Sequence, residues 1–423
     1  MTRRTLSRRS FLLATGASGA AVALSATSTT AWASSTPDLR VYVLVVDGCS
    51  PEEITPQLTP NLHRLRSCGT NYPQARSLPV METIPNHVMM MSGVRPDRSG
   101  VPANSIYDRE AGVVRTLDQP TDLRAPTLLD RLHDRGLVTG SVLSKEYLHG
   151  IFGDRATVRW EPDPVVPISG HAPDAATCDA LMSMVDSADP VLVFANFGDT
   201  DRVGHVDLTG TTLRAARRAA LASTDFQLGR FADFLVRTGR WDNSILFVLA
   251  DHSMDWSKPH RVISLHHALA ADELLRDNTA IAQNGGAELL YFTGPEAERP
   301  RAVERMRELA AAEEGVLACY RPEQLRLGPE AGDLVVYCRA GWRFTDPTVV
   351  SNPIPGNHGH PVTEPIPFFV TGGHPAVRRG STSSTRVSTV DIAPTVGRLF
   401  GLPAPPGGYD GSERTEALEL SRL

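Results

Sequence analysis

Three short runs of apolar, mostly β-branched residues constrain the fold of this chain more than any other feature. They span residues 39–46, 191–196 and 245–250. A continuous apolar run of this length is typical of a strand that is buried on both faces of a mainly parallel sheet. Helical patterns separate the runs, so the sequence predicts an α/β fold with a central, mostly parallel sheet flanked by helices.

The same periodicities place the other elements. Helices are predicted at residues 58–67, 127–135, 175–185, 213–237 and 388–402, and further strands at 137–143 and 367–371. Between 258 and 346 the order becomes strand, helix, strand, strand, at residues 287–292, 302–312, 316–320 and 334–338. We therefore expect a core formed by residues 34–257 and 347–423, and a smaller α+β insertion at 258–346 that borders the site.

An aspartate follows each of the three buried runs. These residues are Asp47, Asp201 and Asp251. One aspartate after a strand is usually a cap or turn residue. Three of them, after the three most apolar runs, indicate a shared site, because ligand sites in open α/β sheets form beyond the carboxyl ends of the strands.

Histidines accompany two of these acids. Asp201 and His205 are four positions apart, which places both on one side of a helical turn, and Asp251 is followed directly by His252. A further histidine, His358, lies in a segment with glycines on either side. Each histidine alone is more often structural or on the surface. Together with the acids they predict a metal site, and carboxylate and imidazole ligands without thiolate suit zinc or another divalent transition ion.

The segment Thr-Ile-Pro-Asn-His at residues 83–87 offers a hydroxyl beside a proline-stiffened turn. A threonine hydroxyl is a weak nucleophile until a base or a metal removes its proton. No Ser-His-Asp arrangement can be recognised around Thr83. On its own the segment more often marks a helix cap, so its functional interpretation depends on ligands supplied elsewhere in the chain.

Residues 1–33 are typical of an export signal. Arg8 and Arg9 form the arginine pair of a twin-arginine signal, and a weakly apolar run at 14–26 and a small-x-small cleavage motif at 31–33 follow them. The apolar run is too short to span a bilayer. We expect the Tat export machinery to recognise the precursor and the mature protein to be secreted or periplasmic, without a membrane anchor.

Composition narrows the range of ligands. The formal net charge is −6 and no nucleic-acid-binding motif is present, so the sequence predicts no binding of polyanions by bulk charge. An anionic ligand must then be bound locally, by metals or by a few donors.

The five cysteines match no zinc-thiolate spacing. In an exported protein, structural disulfides are the expected use of cysteine. Cys319 with Cys338, and Cys49 with Cys68, are the candidate pairs, and none of the cysteines has the features of a catalytic thiol.

The order of these motifs along the chain resembles the alkaline phosphatase superfamily. The most similar branch contains the nucleotide pyrophosphatases/phosphodiesterases and phosphonoacetate hydrolase. The motifs that carry the resemblance are Asp47-Gly48, the segment 83–87, Asp201-x-x-Gly204-His205, Asp251-His252 and the segment 356–359. The resemblance covers nearly the whole chain after the export signal and implies an alkaline phosphatase-like fold.

The resemblance also implies two divalent metal ions, usually zinc, and a threonine nucleophile. Thr83 would form a phospho-enzyme that water then hydrolyses, and a metal pair stabilises the attacking and leaving oxygens of such a displacement. One ion would be held by Asp47, Asp251, His252 and the Thr83 oxygen, and the other by Asp201, His205 and His358.

Two further residues are candidate substrate contacts. Asn104 matches the family's amide donor to a phosphoryl oxygen, and the alternative is an asparagine that only forms a turn. Lys145 lies in a segment that resembles a phosphate-contact segment of phosphonoacetate hydrolase, and the alternative is a solvated surface lysine. The second basic residue of that segment is replaced by Tyr147 here.

Two departures from the family pattern bear on function. Glu82 precedes Thr83 where nucleotide diesterases often carry lysine, and Ser253 stands where glycine usually follows the Asp-His pair.

A phosphomonoester needs an extra cation for its third terminal oxygen, and Lys145 is the only candidate in the sequence. We therefore expect an exported two-metal phosphoester hydrolase for small-molecule substrates, a phosphodiesterase or nucleotide pyrophosphatase. The alternatives are a phosphomonoesterase or phosphonate hydrolase with the same site, and a non-catalytic family member that binds an anion.

Overall fold

The computed structural model describes residues 38–163, 170–207, 214–345 and 356–423. In these ranges the strands are β1 (Arg40–Val46), β2 (Thr70–Asn71), β3 (Ala75–Arg76), β4 (Ser105–Asp108), β5 (Val113–Thr116), β6 (Thr139–Leu143), β7 (Val158–Trp160), β8 (Leu192–Phe197), β9 (Ser244–Leu249), β10 (Asp255–Trp256), β11 (Val262–Ile263), β12 (Thr279–Asn284), β13 (Ala287–Phe292), β14 (Val316–Tyr320), β15 (Leu334–Cys338), β16 (Arg343–Phe344), β17 (Gly356–Asn357), β18 (Phe368–Thr371), β19 (Ser381–Thr382) and β20 (Val387–Ser388). The α-helices are α1 (Pro60–Cys68), α2 (Thr83–Ser92), α3 (Pro96–Ser99), α4 (Leu128–His133), α5 (Glu146–Phe152), α6 (Asp174–Ala188), α7 (Asp199–Val206), α8 (Ala215–Arg237), α9 (Leu265–Ala270), α10 (Arg299–Ala312) and α11 (Ile392–Leu399).

The central sheet has the strand order β19-β2-β18-β9-β1-β8-β6-β7. β1 lies between β8 and β9 and is parallel to both, β6 and β7 continue the parallel part, and β18 pairs with β9 in the antiparallel direction. Every residue of β8 and β9 is buried. The predicted central, mostly parallel sheet is therefore confirmed, and its apolar strands form the core of the molecule.

Helices cover this sheet on both faces. Tyr42 of β1 packs edge-on against Phe231 of α8, with ring centroids 5.1 Å apart. Phe194 of β8 is in register with Val43, so its side chain points to the face opposite Tyr42. There it meets the ring of His87 in α2, at 5.5 Å. The long helix α8 and the helix that begins at Thr83 thus lie on opposite faces.

A second, four-stranded antiparallel sheet has the order β12-β13-β15-β14. It packs against α10 around a separate apolar cluster that includes Leu290, Phe292, Met306 and Val336. Its strands match the predicted runs 287–292, 316–320 and 334–338, but β12 was missed. The boundaries of a distinct insertion at 258–346 stay a prediction.

Some local predictions are wrong. The structure leaves all five cysteines as free thiols. Cys319 is in register with Val336 and not with Cys338, which pairs with Val316 instead. Cys49 is buried while Cys68 is exposed. The predicted helix at 388–402 is confirmed with a shorter range: a 3-10 turn leads into α11, which ends before Gly401, whose φ of +58° is left-handed.

The export signal at 1–33, the start of the predicted helix at 213, and residues 353–355 lie outside the described residues. Within the ranges that are described, no helix is long and apolar enough to cross a membrane.

Candidate functional site

Three buried carboxylates meet at the carboxyl edge of the parallel strands. Asp47 follows β1 directly, Asp251 follows β9, and Asp201 lies in the first turn of α7, just after β8. Because these three strands are neighbours and parallel, their ends lie together. Gly48, with a φ of +72°, permits a close approach: a Cβ there would lie 3.1 Å from Cβ of Asp201. The structure thus brings together the three acids singled out in the sequence.

Lys145 fixes one oxygen of two of these acids. Its Nζ lies 2.8 Å from Oδ2 of Asp47 and 2.8 Å from Oδ2 of Asp201. Asn196 also donates to Oδ2 of Asp47, at 2.7 Å. Burial opposes the charge on Lys145, but Asp201 and Asp47 raise the pKa of its ammonium. Burial likewise opposes ionisation of Asp201, but Lys145 and His205 hold the pKa of that carboxyl well below its usual range.

The third acid is fixed by backbone donors. Oδ1 of Asp251 accepts from the N–H groups of Gly48, at 3.1 Å, and His252, at 3.0 Å. The remaining oxygens of the acids are Oδ1 of Asp47, Oδ1 of Asp201 and Oδ2 of Asp251. Each is buried without a hydrogen-bond partner among the described residues. Buried acceptors are nearly always satisfied, so three unsatisfied carboxylate oxygens in one place fit a bound cation.

Two imidazoles present an unprotonated nitrogen to these oxygens. Nδ1 of His205 lies 2.9 Å from the carbonyl of Gly356, and Nδ1 of His252 lies 3.0 Å from the carbonyl of Ser253. A carbonyl can only accept, so in both rings Nδ1 donates and Nε2 keeps its lone pair. Burial lowers the pKa of His252, which favours the neutral ring. This fixed tautomer, with a hydrogen bond to the far nitrogen, is typical of metal-binding histidines.

A third imidazole, that of His358, completes the cluster. Its Nδ1 lies 3.1 Å from Oε1 of Glu82 and 3.3 Å from the carbonyl of Met81, and its Nε2 lies 3.6 Å from Oδ1 of Asp201. Burial opposes protonation, but Glu82 and Asp201 raise the pKa of His358 to about 9. An environment that stabilises positive charge on this ring also favours a cation at Nε2.

The ligand atoms of the two predicted sets lie close together. Asp201, His205 and His358 each offer one ligand atom, and these atoms lie within 4.8 Å of one another. Of the other set, Nε2 of His252 lies 3.5 Å from Oδ2 of Asp251 and 3.8 Å from Oδ1 of Asp47. The donors present therefore fit divalent ions with nitrogen and oxygen ligands.

Thr83 is the first residue of α2, and its side chain is buried. The N-cap is Glu82, so Thr83 does not cap the helix, which was the alternative interpretation. Its Oγ1 instead lies 3.3 Å from Nε2 of His252. The helix thus directs a hydroxyl at the cluster of acids and histidines.

Asn104 contacts the first turn of α2. Its Oδ1 accepts from the backbone N–H of Ile84, at 2.7 Å, and so satisfies one of the free donors at the start of α2. With the oxygen held in this way, the amide nitrogen is the end that can donate to a ligand. Asn104 and Thr83 both line the cavity next to the cluster.

His87 and Asn196 are two residues that sequence reasoning did not assign to the site. Nδ1 of His87 donates to the carbonyl of Thr83, at 2.8 Å. Nε2 of His87 accepts from Nδ2 of Asn196, at 2.9 Å. His87 lies near Asp47 and Asp251, but both of its ring nitrogens are engaged, so it positions α2 against β8. The signal for Asn196 was a polar residue inside an otherwise apolar strand.

Lys145 is fully buried, so the interpretation as a solvated surface lysine is wrong. It is not among the residues that line the cavity. Its predicted contact with substrate stays a prediction, and the contacts that the structure gives it are with the carboxylates.

The cavity opens between the two sheets. It is lined mainly by polar residues, which include Glu82, Thr83, Asn104, Tyr147, Asp201, Arg202, His205, Gln283, Asn284, Arg343 and His358. Thr83 is part of the cavity wall, and its hydroxyl lies beside a metal-type donor, Nε2 of His252. This arrangement can support transfer of an electrophilic group to Thr83.

Comparison with known sequences finds phosphodiesterases and nucleotide pyrophosphatases. The model of the family described as type I phosphodiesterase / nucleotide pyrophosphatase matches residues 41–360. Ectonucleotide pyrophosphatase/phosphodiesterase family member 5 of Homo sapiens is 21% identical over 395 residues, which cover 89% of this chain and 77% of the human protein. A venom phosphodiesterase of Macrovipera lebetinus is 25% identical over 214 residues, 47% of this chain, and the match spans only 23% of that relative's length.

Solved structures with the same fold include murine ectonucleotide pyrophosphatase/phosphodiesterase 5. It aligns with a TM-score of 0.74 and 19% identity over 90% of this chain and 100% of the murine chain. An inactive threonine-to-alanine variant of the murine protein, in complex with AMP, aligns equally well. Phosphonoacetate hydrolase from Sinorhizobium meliloti 1021, in complex with phosphonoformate, aligns with a TM-score of 0.64 and 18% identity, covering 84% of this chain and 94% of the hydrolase.

Proposed function

The chain belongs to the type I phosphodiesterase / nucleotide pyrophosphatase family of phosphoric ester hydrolases, and from that premise we propose that it is an exported, two-metal phosphodiesterase with Thr83 as its nucleophile. The observation that carries this proposal is the convergence around the Thr83 hydroxyl. The hydroxyl contacts Nε2 of His252, in a cluster that holds three unsatisfied carboxylate oxygens, two imidazoles with a lone pair on Nε2, and the ring of His358.

The proposed ligands divide into two sets. Asp47, Asp251, His252 and the Thr83 oxygen would hold one ion, and Asp201, His205 and His358 the other; zinc suits both sets. Bound there, divalent ions lower the pKa of the hydroxyl and neutralise charge on the attacking and leaving oxygens.

Thr83 is proposed to attack the phosphorus of the substrate. Its Oγ1 forms the new P–O bond, the bond to the leaving oxygen breaks, and the leaving group departs with the electron pair. The Asn104 amide donates to a phosphoryl oxygen and so stabilises the charge that develops there. The proton of the Thr83 hydroxyl ends on the departing oxygen. Water then attacks the same phosphorus, the bond between phosphorus and Oγ1 of Thr83 breaks, and a proton of the water passes to the Thr83 oxygen. The inactivity of a threonine-to-alanine variant of the murine relative supports a threonine in this role.

Preference for diesters follows from the charges that the structure describes. Lys145 is engaged by Asp47 and Asp201, so it brings no uncompensated positive charge to a phosphomonoester dianion. Glu82 also lines the cavity and disfavours added negative charge close to His358. A diester, with a single negative charge on the reacting phosphate, fits these charges better than a phosphomonoester dianion does. Binding of AMP by the murine relative supports a nucleotide-type substrate.

Export through the twin-arginine route is proposed from residues 1–33. The name of the human relative, which places that protein among ectoenzymes, supports an extracellular location but does not bear on the route. We likewise keep residues 258–346 as a proposed insertion that borders the site.

The test of the proposed function is hydrolysis of bis-p-nitrophenyl phosphate by purified, zinc-loaded mature protein. Release of p-nitrophenol that disappears on chelation and returns with zinc supports the proposal. A protein that binds phosphate esters without hydrolysing any of a mixed panel supports the non-catalytic alternative instead.

A further inference from the structure

Two arginines line the cavity and take no part in the site described above. Arg202 follows Asp201 in α7, and Arg343 lies in β16, on the side of the second sheet. The two cationic side chains therefore approach one cavity from separate elements.

Each arginine has a buried donor that no described residue satisfies. Nε of Arg202 and Nη1 of Arg343 are buried and have no hydrogen-bond partner in the part of the chain that the structure describes. Neither guanidinium forms an ion pair with a carboxylate of the described residues within 4.0 Å. Since an unsatisfied buried donor is costly, these groups fit a ligand with acceptor oxygens.

Arg202 is held in place by an aromatic ring. Its guanidinium lies 5.4 Å from the ring centroid of Tyr147, which also lines the cavity. Such stacking orients the guanidinium plane without using its N–H donors. The planar fork is thus available for the bidentate binding of a phosphate or carboxylate group.

The nearby negative charge does not cancel this site. Glu82 lies in the same cavity, but its carboxylate faces Nδ1 of His358, at 3.1 Å. Asp201 shares the ammonium of Lys145 with Asp47. The carboxylates nearest the cavity thus already have cationic partners, while Arg202 and Arg343 each keep an unsatisfied donor.

We propose that Arg202 and Arg343 bind a second anionic group of the substrate, while its reacting phosphate lies at Thr83. The preferred substrates are then phosphodiesters or anhydrides whose other end carries a phosphate or carboxylate, and esters with a neutral substituent are poorer. This inference rests on the proposed function, because it assumes the reacting phosphate beside Thr83.

The test compares three esters that release p-nitrophenol and differ only in the para substituent of the second ring: p-nitrophenyl phenyl phosphate and its 4-carboxyphenyl and 4-phosphonophenyl counterparts. Wild-type protein is expected to favour the charged esters in kcat/KM by about tenfold or more, mainly through KM, the scale of one hydrogen bond to a charged group. The carboxyl and phosphono arms show which anion fits better. R202Q and R343Q should each lower the preference toward unity.

The exposed Arg237, at the end of α8, provides the matched control. R237Q should keep both the wild-type rates and the preference. Zinc content is measured for every variant, because Arg202 is adjacent to the proposed metal ligand Asp201. R343Q tests the anion site independently, because β16 carries no proposed metal ligand.

The outcomes separate the two proposals. If wild-type protein hydrolyses none of the esters, the proposed function fails and this inference fails with it. If it hydrolyses them with equal kcat/KM, or if neither R202Q nor R343Q alters the preference, only the anion site is wrong. A preference lost in both arginine variants and kept in R237Q establishes it.

Discussion

The hydroxyl oxygen of Thr83 lies 3.3 Å from Nε2 of His252. Because Nδ1 of His252 donates to the carbonyl of Ser253, Nε2 carries a lone pair toward the hydroxyl. Thr83 is also the first residue of α2, so the helix fixes the direction of its side chain. In the proposed function, this relationship holds the threonine hydroxyl next to the groups that would activate it.

Removal of this hydroxyl tests its role. Thr83→Ala is expected to lower kcat by at least about a thousandfold, because the attacking atom is gone. Folding, measured by circular dichroism, and metal content should change little, because the acids and histidines remain. Thr83→Ser keeps a hydroxyl and should keep part of the activity. An alanine variant with wild-type rates would mean that Thr83 only begins a helix.

Metal content is the second prediction. Elemental analysis of zinc-loaded protein is expected to find about two ions per chain, as in two-metal hydrolases. Chelation should abolish hydrolysis and also lower the Tm, because the buried oxygens of Asp47, Asp201 and Asp251 would lose a cation that binds only the folded state. Full activity in a metal-free preparation would contradict the proposal.

Lys145 provides a third prediction, on stability. It is fully buried between two carboxylates. Lys145→Ala removes one partner of a buried charge network, so the free energy of unfolding should fall by about 3–5 kcal/mol. Urea unfolding of the metal-free protein measures this change. Arg237→Gln, which removes an exposed cation, is the control for the loss of surface charge and should leave the free energy of unfolding unchanged. If Lys145→Ala lost no more stability than Arg237→Gln, the ammonium would not be needed to neutralise Asp47 and Asp201.

Lys145 also separates diesters from monoesters. The kcat/KM for bis-p-nitrophenyl phosphate is expected to exceed that for p-nitrophenyl phosphate, since Lys145 is engaged by carboxylates. A clear monoester preference that collapses in Lys145→Ala would favour the phosphomonoesterase or phosphonate hydrolase alternative.

Much of this site could be predicted from sequence because its residues follow recognisable elements. Buried strands are recognisable in the sequence as apolar runs. Parallel strands bring the residues that follow them, such as Asp47 and Asp251, to one edge of the sheet. The helical spacing of Asp201 and His205 likewise fixes their proximity, which the structure gives as 3.2 Å between Oδ1 and Nε2.

The residues that were missed depend on tertiary contacts. The role of Asn196 follows from three hydrogen bonds, to Asp47, His87 and Ser144, whose partners lie far apart in sequence. The burial of Lys145 is likewise set by packing, since a lysine beside a strand end is compatible with solvent or core. The strand β12 was missed although Asn284-Gly285 is a hairpin signal, because its alternation is weak.

Export is the fifth prediction. Replacement of Arg8 and Arg9 by lysine is expected to keep the precursor in the cytoplasm, because the export receptor reads the arginine pair and not only its charge. Immunoblots of the cytoplasmic and exported fractions measure this. Unchanged export of mature protein would indicate a different route.

The most direct test of the central claim is to trap the covalent intermediate. Zinc-loaded protein is mixed with bis-p-nitrophenyl phosphate and quenched in acid within the first turnover. The protein is then digested, and the peptides are analysed by mass spectrometry. The proposal predicts a p-nitrophenylphosphoryl adduct on Thr83, formed together with one released p-nitrophenol and absent from Thr83→Ala. Hydrolysis at the wild-type rate with the label on another residue would contradict Thr83 as the nucleophile.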